Sequence, residues 1–270
     1  MFATKDQLDW NVISRDLHVR VDGLQYNVPG KKAQLRDDTN QVLGITSNSY
    51  QIFQNSDLKD FVQPLVGEGL LEIVNIGYLG VGSKVFIQAQ MTEGYNIAGE
   101  DHRGMITLMN SHDGSAALVA GVTDTRVICG NTFAMAMGDM TTRLRHTMRI
   151  HDDAKRITEV IDFVNTNMAR YAEHAEQLSL ASATEVELEM VVKAAYQKPV
   201  ENVRAYNNIR RLFYSGKGNE GKSLYDTVNA VTEYTSHAAV KDDGKRFASV
   251  NFGRNAVVNR RAMNAALALV

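Results

Sequence analysis

The segment Gly216–Ser223 reads Gly-Lys-Gly-Asn-Glu-Gly-Lys-Ser and matches the phosphate-loop pattern G-x-x-x-x-G-K-S at every fixed position. In such a loop, backbone N–H groups surround the phosphates, the lysine contacts the β- and γ-phosphates and the serine binds Mg²⁺. That chemistry requires a buried apolar strand before the loop and a helix after it. Residues 207–214 are too polar for a central parallel strand and are typical of a helix. The sequence therefore favours an ordinary loop, and we expect no cofactor.

His112 and Asp113 are residue types that bind metals, or that act as a base and the group that orients it. However, Asp113-Gly114 lies between two apolar segments and predicts a hairpin turn, because glycine adopts positive φ without steric cost. Two ligands do not make a metal site. Completing one would require the fold to bring further histidines to His112, from among His102, His146 and His151. We predict no metal site.

Cys129 is the single cysteine, which excludes an internal disulfide framework and a zinc site built from several cysteines. It could act as a nucleophile if His112 approached it. With Val127, Ile128 and Phe133 nearby, it is more simply explained as a small buried apolar side chain. No catalytic residue is predicted, and the question of enzymatic activity stays open, with a non-catalytic role preferred. A chain with one cysteine fits the reducing cytoplasm of a host cell.

Basic residues interleaved with aromatic residues are the remaining candidates for function. This combination suits single-stranded nucleic acid, because cations neutralise phosphates while bases stack on aromatic rings. The alternative is a solvated basic surface whose aromatic residues point into the core. The predicted nucleic-acid-binding residues lie in the last third of the chain: Arg210, Arg211, Lys217, Lys222, Lys245, Arg246, Arg254, Arg260 and Arg261.

The charge distribution agrees with a basic C-terminal part. Residues 201–270 contain 11 Lys and Arg against 6 Asp and Glu, whereas residues 1–200 contain 18 against 25. A basic end on an acidic body indicates a polyanionic partner, although charges also fall unevenly along chains without functional reason. No apolar run is long enough to span a membrane, and residues 1–10 do not resemble a secretory signal. We therefore expect no membrane partner.

The periodicity of apolar residues predicts an α+β protein with three parts. Residues 1–44 are expected to form an extended N-terminal arm with short strands. Residues 45–150 are expected to form an α+β core, in which a small antiparallel sheet of three to five strands is flanked by helices. Residues 151–270 show three- and four-residue spacing and predict a mostly helical part that packs on the core. Within these parts, we expect a strand near residues 50–54 and a short helix over Phe133–Met137.

The chain resembles phage- and plasmid-carried proteins grouped as family nine-three-two of the domains of unknown function. The matching stretches occur in the family's order over nearly the whole chain: Leu8–Trp10, Gln34–Thr39, Val42–Gly44, Tyr50–Asn55, Asn110–Gly114, Arg126–Thr132, Asn229–Tyr234, His237 and Phe252-Gly253. The resemblance implies a mobile-element setting and supplies no catalytic residues. The order of elements between Leu58 and Met137 is also similar to the core of phage single-strand annealing proteins, a likeness of fold order alone.

The leading hypothesis is a non-catalytic, homo-oligomeric protein that binds or anneals single-stranded DNA in phage or plasmid recombination or replication. A first alternative is a self-assembling or host-protein-binding phage protein without nucleic-acid contact, based on the long amphipathic helix and the methionine-rich stretch near Met135–Met148. A less favoured alternative is a nucleotide hydrolase using Lys222 and Ser223, or a metal hydrolase using His112.

Overall fold

The computed structural model describes residues 8–97, 99–126, 131–134, 141–146 and 160–270. Within them lie two antiparallel sheets and a helical C-terminal part, which confirms the predicted α+β class. The chain divides into two compact units. Unit 1 comprises Met1–Gln90, Ile106–Ala120 and Thr141–Val160. Unit 2 comprises Met91–Met105, Gly121–Met140 and Ile161–Val270.

The first sheet contains three strands in the order β1-β2-β3, namely β1 (Val12–Val21), β2 (Leu24–Arg36) and β3 (Val42–Ser47). Asp22 and Gly23 join β1 to β2 with φ values of 51° and 83°, the positive-φ pair that two-residue hairpin turns require. The end near Val12 is buried, whereas the end near the turn is exposed. Residues that we expected to form an arm with short strands therefore form much of a complete sheet.

In the second sheet, five strands lie side by side in the order β10-β8-β7-β5-β4, and two short strands pair beside them, β6 with β7 and β9 with β8. Strands β5 and β7 are buried along most of their length, as expected for central strands. The strands are β4 (Leu71–Leu79), β5 (Lys84–Met91), β6 (Tyr95–Ile97), β7 (Glu100–Ser111), β8 (Leu118–Arg126), β9 (Asn131–Ala134) and β10 (Thr141–Leu144).

Helix α1 (Asn55–Gly67) precedes the second sheet and contacts β4. Its first turn is capped because the Asp57 carboxylate accepts a hydrogen bond of 2.7 Å from the backbone N–H of Gln54. The predicted strand at residues 50–54 is absent, and residues 51–54 are irregular. The reason is that the Gln54 side chain bonds the N–H and C=O of Val12, at 2.9 and 3.0 Å. The Gln54 side chain thus makes the hydrogen bonds to Val12 that a paired strand would make through its backbone.

The helical part of unit 2 is built around α5 (Leu224–Glu233), whose residues 224–232 are all buried. Three helices contact α5, namely α3 (Glu185–Tyr196), α4 (Tyr206–Ser215) and α7 (Arg254–Leu267), and α3 also packs along α7. A 3₁₀ turn (Val200–Asn202) precedes α4, and a π-helical turn (Tyr234–Ala238) continues α5. The helices are α2 (Val160–Leu180), α3 (Glu185–Tyr196), α4 (Tyr206–Ser215), α5 (Leu224–Glu233), α6 (Asp243–Asn251) and α7 (Arg254–Leu267).

Two further local expectations differ from the structure. Residues Phe133 and Ala134, predicted to be helical, belong to β9, because pairing with β8 overrides the helical preference of the surrounding Ala/Met sequence. The rest of that predicted helix, and Cys129, lie outside the described residues. Helix α3 is capped by Thr184 with Glu187 as the reciprocal partner, two residues later than the Ser182 start favoured by the sequence pattern.

Candidate functional site

The loop at Gly216–Ser223 lacks the geometry of a phosphate-binding loop. Helix α4, not a strand, precedes it. The backbone N–H groups of Lys222 and Ser223 donate to the Asp226 carboxylate, at 3.0 and 3.1 Å. The end of the loop also bonds to the α2–α3 connection, because Ala183 N–H donates to the carbonyl of Lys222 at 2.8 Å. An acidic side chain already uses the donors that a phosphate would need, so the segment caps α5 and stabilises the fold.

Two of the sequence-predicted cations are paired with carboxylates. Arg210 donates from Nε and Nη2 to the two carboxylate oxygens of Glu185, the second at 2.9 Å. The Arg210 guanidinium is the main reason that the pKa of Glu185 lies below its usual value. Lys222 Nζ lies 2.7 Å from a carboxylate oxygen of Glu220. Because a carboxylate partly neutralises each of these two cations, they attract a polyanion less strongly than unpaired cations would.

The other predicted cations lie on or beside α4, α6 and α7. Arg211, Lys217, Lys245 and Arg254 are exposed, whereas Arg246, Arg260 and Arg261 are half-buried. Arg246 donates from Nη1 to the carbonyl of Val240 at 3.0 Å. Of the nine predicted residues, Arg254 is the one that lines a deep cleft in the described part of unit 2.

This cleft has a volume of about 860 Å³ and lies within unit 2. Three cations line it, Lys198, Arg204 and Arg254, and no carboxylate is among its described lining residues. No ion pair is found for these three side chains among the described residues, and Lys198, Arg204 and Arg254 are all exposed. The cleft therefore concentrates positive charge that can bind an anion.

The positions of the three cations follow from the elements around them. Helix α3 ends at Gln197, which adopts left-handed backbone angles (φ 53°), and Pro199 then prevents a further helical turn. Lys198 and Arg204 consequently lie on the short connection to α4. Arg254 is the first residue of α7, and the dipole at this end of the helix also favours an anion. Sequence reasoning missed Lys198 and Arg204 because they stand apart from any basic cluster.

Two tyrosines complete the cleft, Tyr196 at the end of α3 and Tyr234 at the end of α5. Burial is the main cause that raises the pKa of Tyr196, the proximity of Tyr234 raises it further and Arg254 opposes the shift. Tyr196, Tyr234 and Arg254 line the same cleft. Polar amides of Asn202 and Asn255 also line the cleft. Cations, aromatic rings and amides are the groups that contact phosphates and bases.

The histidines considered as metal ligands are divided between the two units. His102 lies in unit 2, where its Nε2 is 3.1 Å from the hydroxyl of Tyr225. His112 and His146 both lie in unit 1, and His151 is outside the described residues. The described residues contain no group of three or more His, Cys, Asp or Glu side chains that could hold a metal ion.

The described helices include none that is long and apolar enough to cross a membrane. Comparison with curated proteins and with solved structures gave no match. A family model, described as Domain of unknown function (DUF932), matches residues 42–263, which cover both the second sheet and the helical part. The match extends over much more than half of the chain, and the protein therefore belongs to the DUF932 family.

Proposed function

We propose that the protein binds single-stranded nucleic acid through the cleft lined by Lys198, Arg204 and Arg254. The observation that carries this proposal is the concentration of three cations without a lining carboxylate, beside two tyrosines. Phosphates bind the cations, and unpaired bases stack on the rings of Tyr196 and Tyr234. A duplex keeps its base faces inside the stack, so this combination favours a single strand.

The family resemblance extends the proposal to a biological setting. A phage- or plasmid-encoded protein that binds single strands without reading sequence would act in recombination or replication, by protecting or annealing DNA. Phosphates and base faces are common to every sequence, so contacts of these two kinds do not read sequence. The proposed role is therefore binding without catalysis, with affinity that depends on phosphate contacts.

Fluorescence anisotropy with a labelled oligothymidine tests this role. Three phosphate contacts to single-stranded DNA contribute about 2 units to the slope of log K against log salt, which corresponds to roughly a 20-fold loss of affinity between about 50 and 200 mM salt. We expect the triple variant Lys198→Ala/Arg204→Ala/Arg254→Ala to lose this part of the salt dependence and to bind at least about tenfold more weakly at low salt.

A control variant that removes the same charge elsewhere is Arg210→Ala/Lys217→Ala/Lys222→Ala. Since Arg210 and Lys222 are already paired with carboxylates, this variant should bind almost like the wild type. Weaker binding by the control than by the cleft variant would move the site to the residues indicated by the sequence. Wild-type protein that binds no oligonucleotide at micromolar concentration in low salt would exclude the function altogether.

A second candidate function, self-assembly, is favoured by the exposed end of the β1–β2 hairpin. Val19 pairs with Tyr26, and Val21 pairs with Leu24, so the four side chains lie on one face of the hairpin. All four are exposed, Val21 at 53% and Leu24 at 62%. Sedimentation velocity of Val21→Lys/Leu24→Lys against wild type tests whether this face joins copies of the chain. An oligomer that persists unchanged in the variant would exclude this face.

A further inference from the structure

Strand β1 forms one edge of the three-stranded sheet, and among the described residues no strand pairs with its outer side. Its first residue, Val12, is buried, whereas the residues from Arg15 to Val21 are exposed apart from the half-buried Leu17. An edge strand carries a row of backbone N–H and C=O groups that can pair with a further strand. The outer side of β1 is therefore a candidate interface with another chain.

Both ends of β1 show which of its backbone groups point outward. At the start, the N–H and C=O of Val12 bond the Gln54 side chain, at 2.9 and 3.0 Å, so they point away from β2. At the other end, Val21 and Leu24 flank the two-residue turn, which directs the Val21 carbonyl toward β2. Since inward and outward groups alternate along an antiparallel strand, both ends place the outward groups on the even-numbered residues of β1.

This alternation continues through the irregular part of the sheet. Between the pairs Asp16–Lys32 and His18–Asn27, the extra residues belong to β2, and β1 advances by two residues only. The carbonyl oxygen of Asp16 lies 3.2 Å from Nδ1 of His18, a contact within β1 that agrees with an outward carbonyl. The outward groups beyond those that Gln54 bonds therefore belong to Ser14, Asp16, His18 and Arg20.

The charged side chains of β1 are ordered so that they favour pairing with a second copy. Charges on an edge strand usually oppose pairing, because they meet like charges or lose water. In an antiparallel pair of two β1 strands centred on His18, however, Asp16 of each copy lies opposite Arg20 of the other. Unlike charges directly opposite each other stabilise a strand pair. The even-numbered residues would form about six backbone hydrogen bonds, since each hydrogen-bonded pair exchanges two.

Neighbouring registers of the same pairing are disfavoured. Shifting the centre by one residue toward the start of β1 brings the turn of the second copy against Gln54, which already bonds the outward groups of Val12. Shifting it by one residue the other way places Asp16 opposite Asp22, and like charges opposite each other destabilise a strand pair. The register centred on His18 uses the free edge in full and brings unlike charges together.

The same register also covers apolar side chains. Leu17 of each copy lies opposite Val19 of the other, in a pair without backbone hydrogen bonds, where side chains approach most closely. Val19 is 46% exposed in the single chain and faces Tyr26 on β2. In the pair, the Val19 side chain lies between Tyr26 of its own chain and Leu17 of the second copy. The second copy thus removes from water a side chain that the single chain leaves exposed.

We propose that two copies of the chain pair through β1, antiparallel and centred on His18, which joins two three-stranded sheets into one sheet. The inference rests on the second candidate function, self-assembly, and names the edge at which the copies join. It is independent of nucleic-acid binding. Because both copies use the same surface about a two-fold axis, the contact closes on itself and gives a dimer rather than a fibre.

Charge reversal tests this register. Sedimentation velocity of the full chain over a range of concentrations should show a wild-type dimer. Asp16→Arg and Arg20→Asp should each raise its dissociation constant by at least about tenfold at low salt, because each places like charges opposite at two symmetric positions. Arg15→Asp is the matched control, since it makes the same charge change at an exposed residue that faces Val21 in the pair. It should change the constant by less than about threefold.

Mixing the two single variants separates an interface effect from a folding defect. In a mixed dimer, the new arginine at position 16 faces the new aspartate at position 20, and the original Arg20 faces the original Asp16. We expect the mixture to dimerise with about the affinity of the wild type, which a misfolded variant would prevent.

A mixture that forms no dimer overturns the proposal, and so do single variants that dimerise like the wild type. In the second case the copies join through another surface, so self-assembly stands and the β1 edge is excluded. A wild-type chain that stays monomeric at high micromolar concentration refutes self-assembly and the β1 pairing together.

Discussion

Acidification should destabilise the folded protein through His112, whose side chain is fully buried. Burial, followed by repulsion from His146, lowers its pKa to about 3 from the usual 6.5. In the unfolded chain the ring regains its ordinary pKa. Below about pH 6.5 the unfolded state therefore binds a proton that the folded state does not bind, and stability is lost as the pH falls toward 3.

The size of the effect follows from the two pKa values. One pKa unit corresponds to about 1.4 kcal/mol, and pH 5 lies about 1.5 units below the pKa of the unfolded ring. We therefore expect His112 to lower the free energy of unfolding by about 2 kcal/mol between pH 7 and pH 5. Such a loss is a large fraction of the stability of an ordinary domain.

Urea denaturation at a series of pH values measures this loss. Between pH 7 and pH 5, the free energy of unfolding of the wild type should fall by about 2 kcal/mol more than that of His112→Gln. The exposed His18 supplies the control, and His18→Gln should follow the wild-type curve. A His112→Gln chain with the same pH dependence as wild type would refute the reasoning, whatever its absolute stability.

Three other changes have defined outcomes. Gly44→Ala places a Cβ 2.5 Å from the Cα of Asp113 and should cost about 1–3 kcal/mol in urea denaturation, whereas Gly67→Ala, with open space around the new Cβ, should cost almost nothing. Thr184→Ala removes the hydroxyl that accepts from Val186 N–H and should lower stability by about 1 kcal/mol; an unchanged midpoint would mean that water caps α3 equally well. Mg²⁺-ATP should not raise the melting temperature of the wild-type chain, and a rise that Lys222→Ala abolishes would restore the phosphate-loop interpretation.

Local signals in the sequence predicted the elements that depend on neighbouring residues. The pair Asp113-Gly114 predicted the turn between β7 and β8, where Gly114 has φ 73° and Asp113 Oδ1 accepts from Ser115 N–H at 2.8 Å. The spacing of apolar residues predicted the helices of the C-terminal part, because a buried helical face repeats every three to four positions. The strand expected at residues 50–54 was wrong because the Gln54 side chain, rather than a backbone ladder, bonds the backbone of Val12.

The candidate sites depend on contacts between distant residues, which no local pattern encodes. Arg210 and Glu185 are 25 positions apart, and their pairing decides that Arg210 contributes little free charge. Lys198 and Arg204 gain importance because the end of α3 and the start of α7 bring them beside Arg254.

The sequence by itself determined the α+β class, the family and the presence of basic residues and histidines. Only the tertiary structure decided which cations face a cleft without carboxylates and which histidine nitrogens keep a lone pair. The physical reason is that charge pairing and proton position depend on the partner across space. Residues 51–55, for example, fix the tautomers of His112 and His146 from positions about 60 and 95 residues away along the chain.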